Sequence, residues 1–502
     1  MSVRLYRFPE GEPESPLYRV TAEGQTLPLY ECRVSAVPFN RRWPGHQRRT
    51  EQTEMAAFGM FAMDGPVRVT VEPAFPVTAA VVRPLARGIV PEVRDGKVTF
   101  TLDAPGQLTV ECGGKHRALH LFADPVEDFG VDPEAPGVLY YGPGRHEAGL
   151  ITLQSGQTLF LDEGAVVFGR VEAADARDIR ILGHGILDNS REKETILRQV
   201  TLGKGDVDVK NAKREHTITL RYCENVEIAG ITLRDSLVYN VKAICCTGMT
   251  IRNAKTIGNW RYNSDGFDMH NCKNVRISDC FLRTYDDSIC AKGFDENMDA
   301  AGMRHNGRDY DVFEDLTVER CVIWNDWGKC LEVGVESRAR VIRNITFRDC
   351  DCIHVQGPCM DIGNVDWGTQ ENITFEDIRV EMDDGPLPSL IQTDDAQTYE
   401  ACLAARAAEF ADYLPPLFCA QVLFHHEYSA GGKERGRIEG ITLSGIRITA
   451  PRMPALRVRG YDEDHMVRGL RIRDVFLNGT RITDPAALNL ELGDFTGDVS
   501  FE

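Results

Sequence analysis

The residues with the clearest potential for chemistry are three aspartates in two short segments. Asp265 lies in residues 263–268, Asn-Ser-Asp-Gly-Phe-Asp, and the adjacent Asp286 and Asp287 follow 21 and 22 residues later. If this interval is one turn of a coiled β-structure, equivalent residues of neighbouring turns lie about 4.8 Å apart. Aligning residues 266–267 with residues 287–288 then predicts three carboxylates in one small patch.

Crowded carboxyl groups suit the hydrolysis of glycosidic bonds. One carboxylic acid protonates the leaving oxygen, and another carboxylate activates water or attacks the anomeric carbon. Repulsion between like charges raises at least one pKa, which keeps an acid protonated near neutral pH. The alternative is that such aspartates only cap turns. We prefer the turn-capping interpretation for Asp268 and predict a catalytic trio of Asp265, Asp286 and Asp287.

A short recurring pattern predicts the elements that position these segments. It consists of a turn residue, an aliphatic residue, a polar residue and an apolar residue, and its second member falls at 179, 226, 249, 275, 316, 345, 373, 441 and 470. Intervals of 23 to 29 residues fit one coil each, and the 47 residues between 179 and 226 suggest two coils. Short alternating strands at this period predict a right-handed parallel β-helix. A β-sandwich array or a propeller is the alternative, but its Asn-Gly and Asp-Gly hairpin signals are few.

The composition divides the chain into three parts. Residues 1–122 contain alternating strands separated by Pro- and Gly-bearing turns, which predict an antiparallel β-sandwich. Residues 123–137 contain Asp-Pro and Ala-Pro steps and are predicted to be a linker. Residues 138–502 are predicted to form the β-helix, so the whole chain belongs to the all-β class.

Two further features of the coils bear on the site. Most coils carry a second, short apolar strand, for example at residues 266–269, 288–291, 330–333 and 359–362. Two oversized intervals predict loop insertions at about 294–311 and 385–437, the latter with a helix over 398–413. Since solenoid insertions often decorate the binding face, we expect both to form walls of the site.

Charge and composition exclude several classes of partner. The 502 residues include 57 Lys and Arg against 76 Asp and Glu, and the formal charge of −19 argues against nucleic acid. No apolar run approaches the roughly 18 residues of a membrane helix, so we expect no membrane partner. We leave open whether the chain forms a homo-oligomer. The N-terminal residues show no leader pattern, and we expect a cytoplasmic protein unless an export signal precedes this sequence.

The 15 cysteines are scattered, and few have the paired spacing of a zinc site. We interpret most of them as reduced thiols in the core. Nothing resembles a dedicated calcium loop. We therefore expect neither a metal ion nor a cofactor.

The segments that carry the aspartates resemble the paired signatures of glycoside hydrolase family 28, the polygalacturonase-like enzymes: residues 263–268 and residues 286–293, Asp-Asp-Ser-Ile-Cys-Ala-Lys-Gly. The resemblance covers about 138–502. Family 49 dextranases and isopullulanase share the β-helix and the aspartate trio, and the predicted sandwich is similar to their N-terminal domain. This resemblance implies a pectin-lyase-like solenoid and an inverting mechanism. In that mechanism Asp286 is the general acid, and Asp265 and Asp287 hold the attacking water.

The chain departs from family 28 at two motifs that follow. Where polygalacturonases carry Gly-His-Gly, this chain has Gly-Lys-Cys, with Lys329 in place of the histidine. Their Arg-Ile-Lys motif is absent, and Asp361 stands near its place. Without that basic pair a uronate carboxylate is bound poorly. We therefore expect a carbohydrate substrate that is a neutral, dextran- or glucan-like glycan rather than pectin.

Seven side chains are the remaining candidates for substrate binding: Asp268, Lys292, Trp327, Lys329, Glu332, Asp361 and Trp367. For the tryptophans the alternative is core packing, and for the lysines a surface position with a buried stem. His270 and His354 are expected to be structural. Other possible functions are a polygalacturonase, a lyase, an epimerase, a fructan-cyclising transferase, and a tailspike-like solenoid that binds glycans without catalysis.

Overall fold

The computed structural model describes residues 3–41, 48–191, 215–293, 304–394, 396–426, 428–429 and 434–502. It confirms the all-β class, with an N-terminal sandwich followed by a right-handed parallel β-helix. Part of each predicted insertion, namely residues 294–303, 395, 427 and 430–433, lies outside the described residues. Among the residues that the structure describes, no helix has both the length and the apolar character that crossing a membrane requires.

Two sheets form the sandwich. The first contains, in order, Val3–Leu5, Thr53–Met63, Leu119–Pro125, Gly106–Cys112 and Ala80–Arg83, with Tyr30–Ser35 also paired to Thr53–Met63. The second contains Gln25–Leu27, Tyr18–Ala22, Val67–Pro73, Lys97–Leu102 and Glu92–Arg94. All pairs are antiparallel except Thr53–Met63 with Leu119–Pro125, which differs from the purely antiparallel sheet expected. The last strand ends at Pro125, so the connecting segment begins later than residue 123.

The strand Thr53–Met63 explains how the two domains join. Its residues from 56 to 63 are all buried and all apolar or glycine. One face, with Ala57 and Phe61, packs in the core of the sandwich. The other face, with Phe58 and Met60, packs in a second cluster that includes solenoid residues. A strand covered on both sides needs apolar residues at successive positions, which accounts for the absence of alternation.

The solenoid has one outer sheet of thirteen strands. Its strands are Val138–Tyr141, Thr158–Leu161, Arg177–Gly183, Glu224–Ala229, Thr247–Arg252, Lys273–Ser278, Val312–Glu319, Val341–Arg348, Thr369–Glu376, Arg437–Ser444, Val467–Arg473, Thr496–Gly497 and Ser500–Phe501. The core inside the coils is a continuous stack of buried aliphatic, aromatic and cysteine side chains. All 15 cysteines are free thiols, and all but Cys402 are buried.

A second sheet of 21 strands folds into two stacks, because each of its inner strands pairs with a strand of the coil before and a strand of the coil after. Two long strands, Gly144–Thr152 and Ala165–Ala174, begin both stacks. The stack that faces the sandwich continues with Ile186–Asp188, Thr232–Arg234, Lys255–Ile257, Phe281–Thr284, Val322–Asn325, Asp351–His354, Arg379–Glu381, Arg447–Thr449, Phe476–Leu477 and Thr480–Arg481. The other, here called the site stack, continues with Ile218–Arg221, Val241–Ile244, Phe267–His270, Ile289–Lys292, Leu331–Val333, Met360–Asn364, Phe418–Val422, Leu456–Arg459 and Leu490–Leu492.

The turn residue of the recurring pattern has a conformational reason. Asp178, Asn225, Asn274, Asn344 and Asn372 all have φ between 54° and 58°. This left-handed region favours Gly, Asn and Asp over other residues. Their side chains also bond from coil to coil, as where the Asn344 Nδ2 donates to the carboxylate of Asp315 at 2.9 Å.

The register confirms the coil assignment and corrects it at two points. Every predicted marker residue pairs with the next marker along the chain. Ile179 pairs directly with Val226, so the 47-residue interval is one coil rather than two, and residues 192–214 within it lie outside the described part. Phe267 pairs with Ile289, an offset of 22 rather than the expected 21. Asp265 is therefore level with Asp287.

The insertions contain little regular structure. The helix predicted over 398–413 is shorter, Tyr399–Ala405, and Thr398 caps it by accepting a 3.2 Å bond from the Ala401 amide. Near the start of the 385–437 insertion, the strand Leu390–Gln392 pairs in parallel with Phe39–Arg41 of the N-terminal domain. The described end of the other insertion is a small hairpin, Arg304–His305 with Arg308–Asp309.

Outside the insertions, short 3₁₀ segments occur at Thr50–Gln52, Leu85–Arg87 and Pro485–Leu488.

Candidate active site

Two columns of side chains on the site stack build the candidate site. The corner column lies two residues before each strand, and the register places these residues in it: Tyr239, Asp265, Asp287, Lys329 and Pro358. The strand column lies three residues further on and contains Lys242, Asp268, Cys290, Glu332, Asp361 and Cys419. Parallel stacking thus brings together charged residues that are 21 to 42 positions apart in the sequence.

The corner column borders a cavity of about 440 Å³. This volume suits a small saccharide or one end of a longer chain. The charged residues that line the cavity are Asp265, Asp286, Asp287, Lys292, Lys329, Glu336 and Asp361. Trp327 also lines it, as the sequence analysis expected. The trio of aspartates therefore shares one water-accessible hollow.

The turn that carries Asp286 is held from the solenoid side. The backbone carbonyl oxygen of Asp286 accepts hydrogen bonds from the Thr284 hydroxyl at 2.8 Å and from the Asn325 side-chain nitrogen at 2.7 Å. A Cβ at Gly328 would lie 2.6 Å from the backbone nitrogen of Asp287, so only glycine allows this close approach. Asp286 remains half-buried at the wall of the cavity.

Burial and charge separate the protonation states of Asp286 and Asp287. Burial and, to a smaller extent, the nearby Asp287 carboxylate raise the pKa of Asp286 to about 7, although Lys329 and Lys292 act in the opposite direction. Burial opposes ionisation of Asp287 as well, but Lys329 and Lys292 outweigh it and hold its pKa at about 2. The Lys329 backbone nitrogen also donates to the Asp287 carboxylate at 3.1 Å. One carboxyl is thus protonated near neutral pH and its neighbour is ionised.

Lys292 connects the remaining aspartates. Its ammonium nitrogen lies 2.8 Å from Asp268, 3.6 Å from Asp265 and 3.9 Å from Asp287. Burial raises the pKa of Asp265 well above its usual range, and the charge of Asp268 adds to this effect. We infer that Asp265 holds a proton while Asp287 does not.

Lys329 forms a second set of ionic contacts. Its ammonium lies 2.7 Å from Glu332 and 3.5 Å from Asp287. Glu332 has no exposed surface and also accepts a 3.4 Å bond from the Cys290 thiol. Burial raises the pKa of Glu332 well above its usual range, and that of Asp361 to about 6.

Three of the expected substrate-binding residues are placed differently by the structure. Glu332 and Asp268 lie beneath the cavity, fully buried, so they contact lysines rather than a ligand. Trp367 is 38% exposed but is not among the residues that line the cavity. The lysines that line the cavity contact these two carboxylates, Lys292 at 2.8 Å from Asp268 and Lys329 at 2.7 Å from Glu332.

The two insertions also differ from the expectation of paired walls. Leu423, His425 and Tyr428 of the 385–437 insertion line the cavity. The described part of the 294–311 insertion lies elsewhere, where His305 stacks on Tyr222 at a ring-centroid distance of 3.7 Å. Its role as a wall is thus wrong for residues 304–311.

The sequence analysis missed several lining residues, among them Tyr239, His425 and Tyr428. Tyr239 occupies the position equivalent to Asp265 one coil earlier, so extending the 26-residue register backwards would have found it. His425 and Tyr428 stack at 4.5 Å between ring centroids. They belong to an irregular insertion, in which periodicity carries no signal.

Two groups of buried side chains have metal-ligand atoms within 4.8 Å of one another: Cys330, Cys352 and Cys359, and Asp287, Cys290 and Glu332. Burial raises the pKa of the Cys330, Cys359 and Cys290 thiols, whereas a metal binds the thiolate. Lys329 already neutralises charge in the second group.

Comparisons with known proteins agree with the resemblance expected from the sequence. The model of Glycosyl hydrolases family 28 matches residues 151–308, which include the three aspartates. A probable polygalacturonase from Vitis vinifera is 33% identical over 92 residues, which are 18% of this chain and 19% of that protein. The chain therefore matches about a fifth of the length of this curated relative.

Among solved structures, the alignment to Dex49A extends the comparison to the fold. Dex49A from Penicillium minioluteum aligns over 99% of this chain and 96% of that chain, with a TM-score of 0.63 and 14% identity. An exopolygalacturonase from Thermotoga maritima aligns over 73% of this chain and 83% of that chain, with a TM-score of 0.48 and 18% identity. The predicted resemblance to families 28 and 49 is confirmed, since the family 28 model matches the aspartate-bearing coils and Dex49A has a similar fold.

Proposed function

We propose that this protein is an inverting glycoside hydrolase that acts on a neutral oligo- or polysaccharide. The observation that carries the proposal is the pair Asp286 and Asp287 at one cavity, the first with a pKa of about 7 and the second with a pKa of about 2. Acid–base hydrolysis of a glycoside requires one protonated and one ionised carboxyl group at the same site.

In the proposed reaction Asp286 donates its proton to the glycosidic oxygen as the bond to the anomeric carbon breaks. Asp287 accepts a proton from the water that attacks the opposite face of that carbon. Protonated Asp265 orients this water by donating a hydrogen bond. Each turnover leaves Asp286 ionised and Asp287 protonated, and proton exchange with solvent restores both.

The charges at the cavity support a neutral rather than a uronic substrate. No arginine lines the cavity among the described residues. Both lysines there are already in contact with carboxylates, Lys292 with three and Lys329 with two. A uronate would have to compete for these lysines and would meet Glu336 and Asp361.

The second candidate is polygalacturonase activity, which the family 28 match and the grapevine relative favour. The two candidates predict opposite results on a panel of substrates. We expect release of sugar from α- or β-glucan oligosaccharides and little from oligogalacturonides. The reverse result would establish the second candidate, and an unsaturated, ultraviolet-absorbing product would indicate a lyase.

The stereochemistry and the role of the trio are tested together. Proton NMR of the first product should show the anomer opposite to that of the substrate. Asp286→Asn and Asp287→Asn should abolish turnover while the variants still bind sugar. Asp279→Asn is a matched control, because Asp279 is an exposed aspartate of the solenoid that pairs with Arg320 at 2.8 Å. Unchanged turnover in Asp286→Asn would show that the protein is a glycan-binding solenoid or uses other residues.

The walls from the 385–437 insertion support action at chain ends. A cavity that His425 and Tyr428 help to enclose holds a terminal sugar better than an internal segment. We expect mono- or disaccharide as the first product from a long glycan. Early release of long internal fragments would contradict this part of the proposal.

A further inference from the structure

The residue immediately before the catalytic pair is held by the N-terminal domain. Tyr285 has no exposed surface, and its hydroxyl donates a short hydrogen bond to the side-chain oxygen of Asn40. The guanidinium carbon of Arg48 lies 3.8 Å from the centre of the Tyr285 ring. A cation over an aromatic face is attracted to it, more strongly when both are buried. Two residues from the start of the chain thus fix a side chain in the middle of the solenoid.

Arg48 is itself firmly placed. It is 1% exposed, and its two terminal nitrogens donate to the Trp260 carbonyl at 2.9 Å and the Val37 carbonyl at 2.7 Å. Trp260 lies in the turn that leads to Asp265. One guanidinium therefore connects the sandwich, the turn before Asp265 and the ring beside Asp286. Fixed hydrogen bonds at both ends make this connection rigid.

The solenoid holds the opposite side of the same turn. The Gly328 amide donates to the Tyr285 carbonyl at 3.1 Å, and the Tyr285 ring stacks on Trp327 with 5.9 Å between ring centroids. Trp327 lines the cavity. Since Tyr285 is covalently joined to Asp286, a shift of the Tyr285 backbone would displace the acid.

We propose that Asn40 and Arg48 are positioning residues for catalysis, which act through Tyr285 to hold Asp286 and Asp287 in their working geometry. The N-terminal domain is then a functional part of the active site. This inference rests on the proposed glycosidase function. Small displacements of a catalytic acid are costly, since an error of about 1 Å can lower a rate about 100-fold.

The test removes the hydrogen bond between Tyr285 and Asn40 from the donor side, from the acceptor side, and from both sides together. Tyr285→Phe keeps the ring and loses only the hydroxyl, and Asn40→Ala loses its acceptor. We expect each variant to lower kcat by about tenfold with little change in KM, because the ground-state contacts of the sugar are retained. The double variant should be no slower than either single one, because both remove the same hydrogen bond.

The matched control is Tyr18→Phe, since the Tyr18 hydroxyl also donates a short hydrogen bond, to the Arg117 carbonyl within the sandwich. Its kcat should equal that of the wild type at equal folded fraction, which circular dichroism checks. Single variants with wild-type kcat, or effects that multiply in the double variant, would overturn the inference. If the wild type hydrolyses none of the glycans tested, the proposed function fails instead, so the two failures are distinct.

Discussion

Two clusters of charge in this protein, both partly buried, differ in the balance of acidic and basic groups, and the difference separates reactivity from stability. The aspartate cluster consists of Asp265, Asp268, Asp286, Asp287, Glu332, Asp361, Lys292 and Lys329. The interface cluster, between sandwich and solenoid, consists of Arg83, Glu111, Lys115, His354, Glu381, Asp383 and Asp384. The first sets six carboxyl groups against two ammonium groups, whereas the second sets four against three cationic groups.

The interface cluster is satisfied by direct ion pairs. Arg83 lies 3.0 Å from Glu111 and 2.9 Å from Asp383. His354 contacts both Glu111 and Asp384. Matched charges of this kind hold one conformation in place, although burial still raises the pKa of Glu381 to about 7. The aspartate cluster has an excess of carboxyl groups, so some must stay protonated, and it opens to a cavity.

The largest effect is expected from a substitution in the aspartate cluster. Asp286→Asn should lower kcat by about 1,000-fold, since removal of a general acid costs about 100- to 10,000-fold. The free energy of unfolding should not fall, because the variant removes a crowded carboxyl group. Initial rates on the best glycan and urea unfolding would check both statements. A variant that is unfolded at assay temperature would contradict the view that this cluster is not a source of stability.

The second largest effect is expected from a substitution in the interface cluster. Arg83→Met removes the central cation and leaves Glu111 and Glu381 buried without it, which should cost about 3–5 kcal/mol of unfolding free energy. The kcat of the folded fraction should be unchanged, because Arg83 contacts neither the cavity nor Tyr285. Urea unfolding and rates corrected for folded protein would measure the two quantities. A normal unfolding midpoint, or a large fall in kcat, would remove the distinction between the clusters.

The interface cluster should also make stability depend on pH. Burial opposes the charge on His354, but Glu111 and Asp384 outweigh it and raise its pKa to about 9. A histidine with a raised folded pKa stabilises fully below its unfolded pKa of about 6.5 and loses this contribution up to pH about 9, at most about 3 kcal/mol. Wild-type stability should therefore fall in this window, and that of His354→Gln should fall less. Parallel curves for the two proteins would contradict the assignment.

The smallest expected effect sharpens the picture of the aspartate cluster. Because Asp286 must be protonated, kcat/KM should fall above pH 7, about tenfold per pH unit. Asp287 stays ionised down to pH about 2, so acid should not limit the rate until the fold itself fails. A pH–rate profile with an optimum at pH 9 would show that another group is the acid.

Local pattern was sufficient for much of the fold. Asn and Asp at the coil corners are recognisable in sequence because the left-handed backbone conformation favours them, and every marker pair from Val226 to Leu470 has the predicted partner. The spacing of the aspartates was also informative, because a regular coil converts sequence distance into spatial distance. The one-residue error in their alignment came from the corner, where no alternation specifies the register.

Contacts between residues far apart in the sequence could not be predicted from the local pattern. The pairing of Phe39–Arg41 with Leu390–Gln392 and the bond from Tyr285 to Asn40 join residues hundreds of positions apart with no shared period. The 385–437 insertion lines the cavity through irregular backbone, which periodicity cannot place. The burial of Glu332 depends on which face of its strand other parts of the folded chain cover.

The sequence by itself determined the solenoid, its rungs and the meeting of three aspartates, because these follow from repeated local preferences for turn and strand. Only the tertiary structure decided which carboxyl groups have raised pKa values, which residues line the cavity, and which residues of the N-terminal domain contact Tyr285 beside the aspartate pair. Those properties depend on burial and on charges brought from distant segments, and both exist only after the chain has folded.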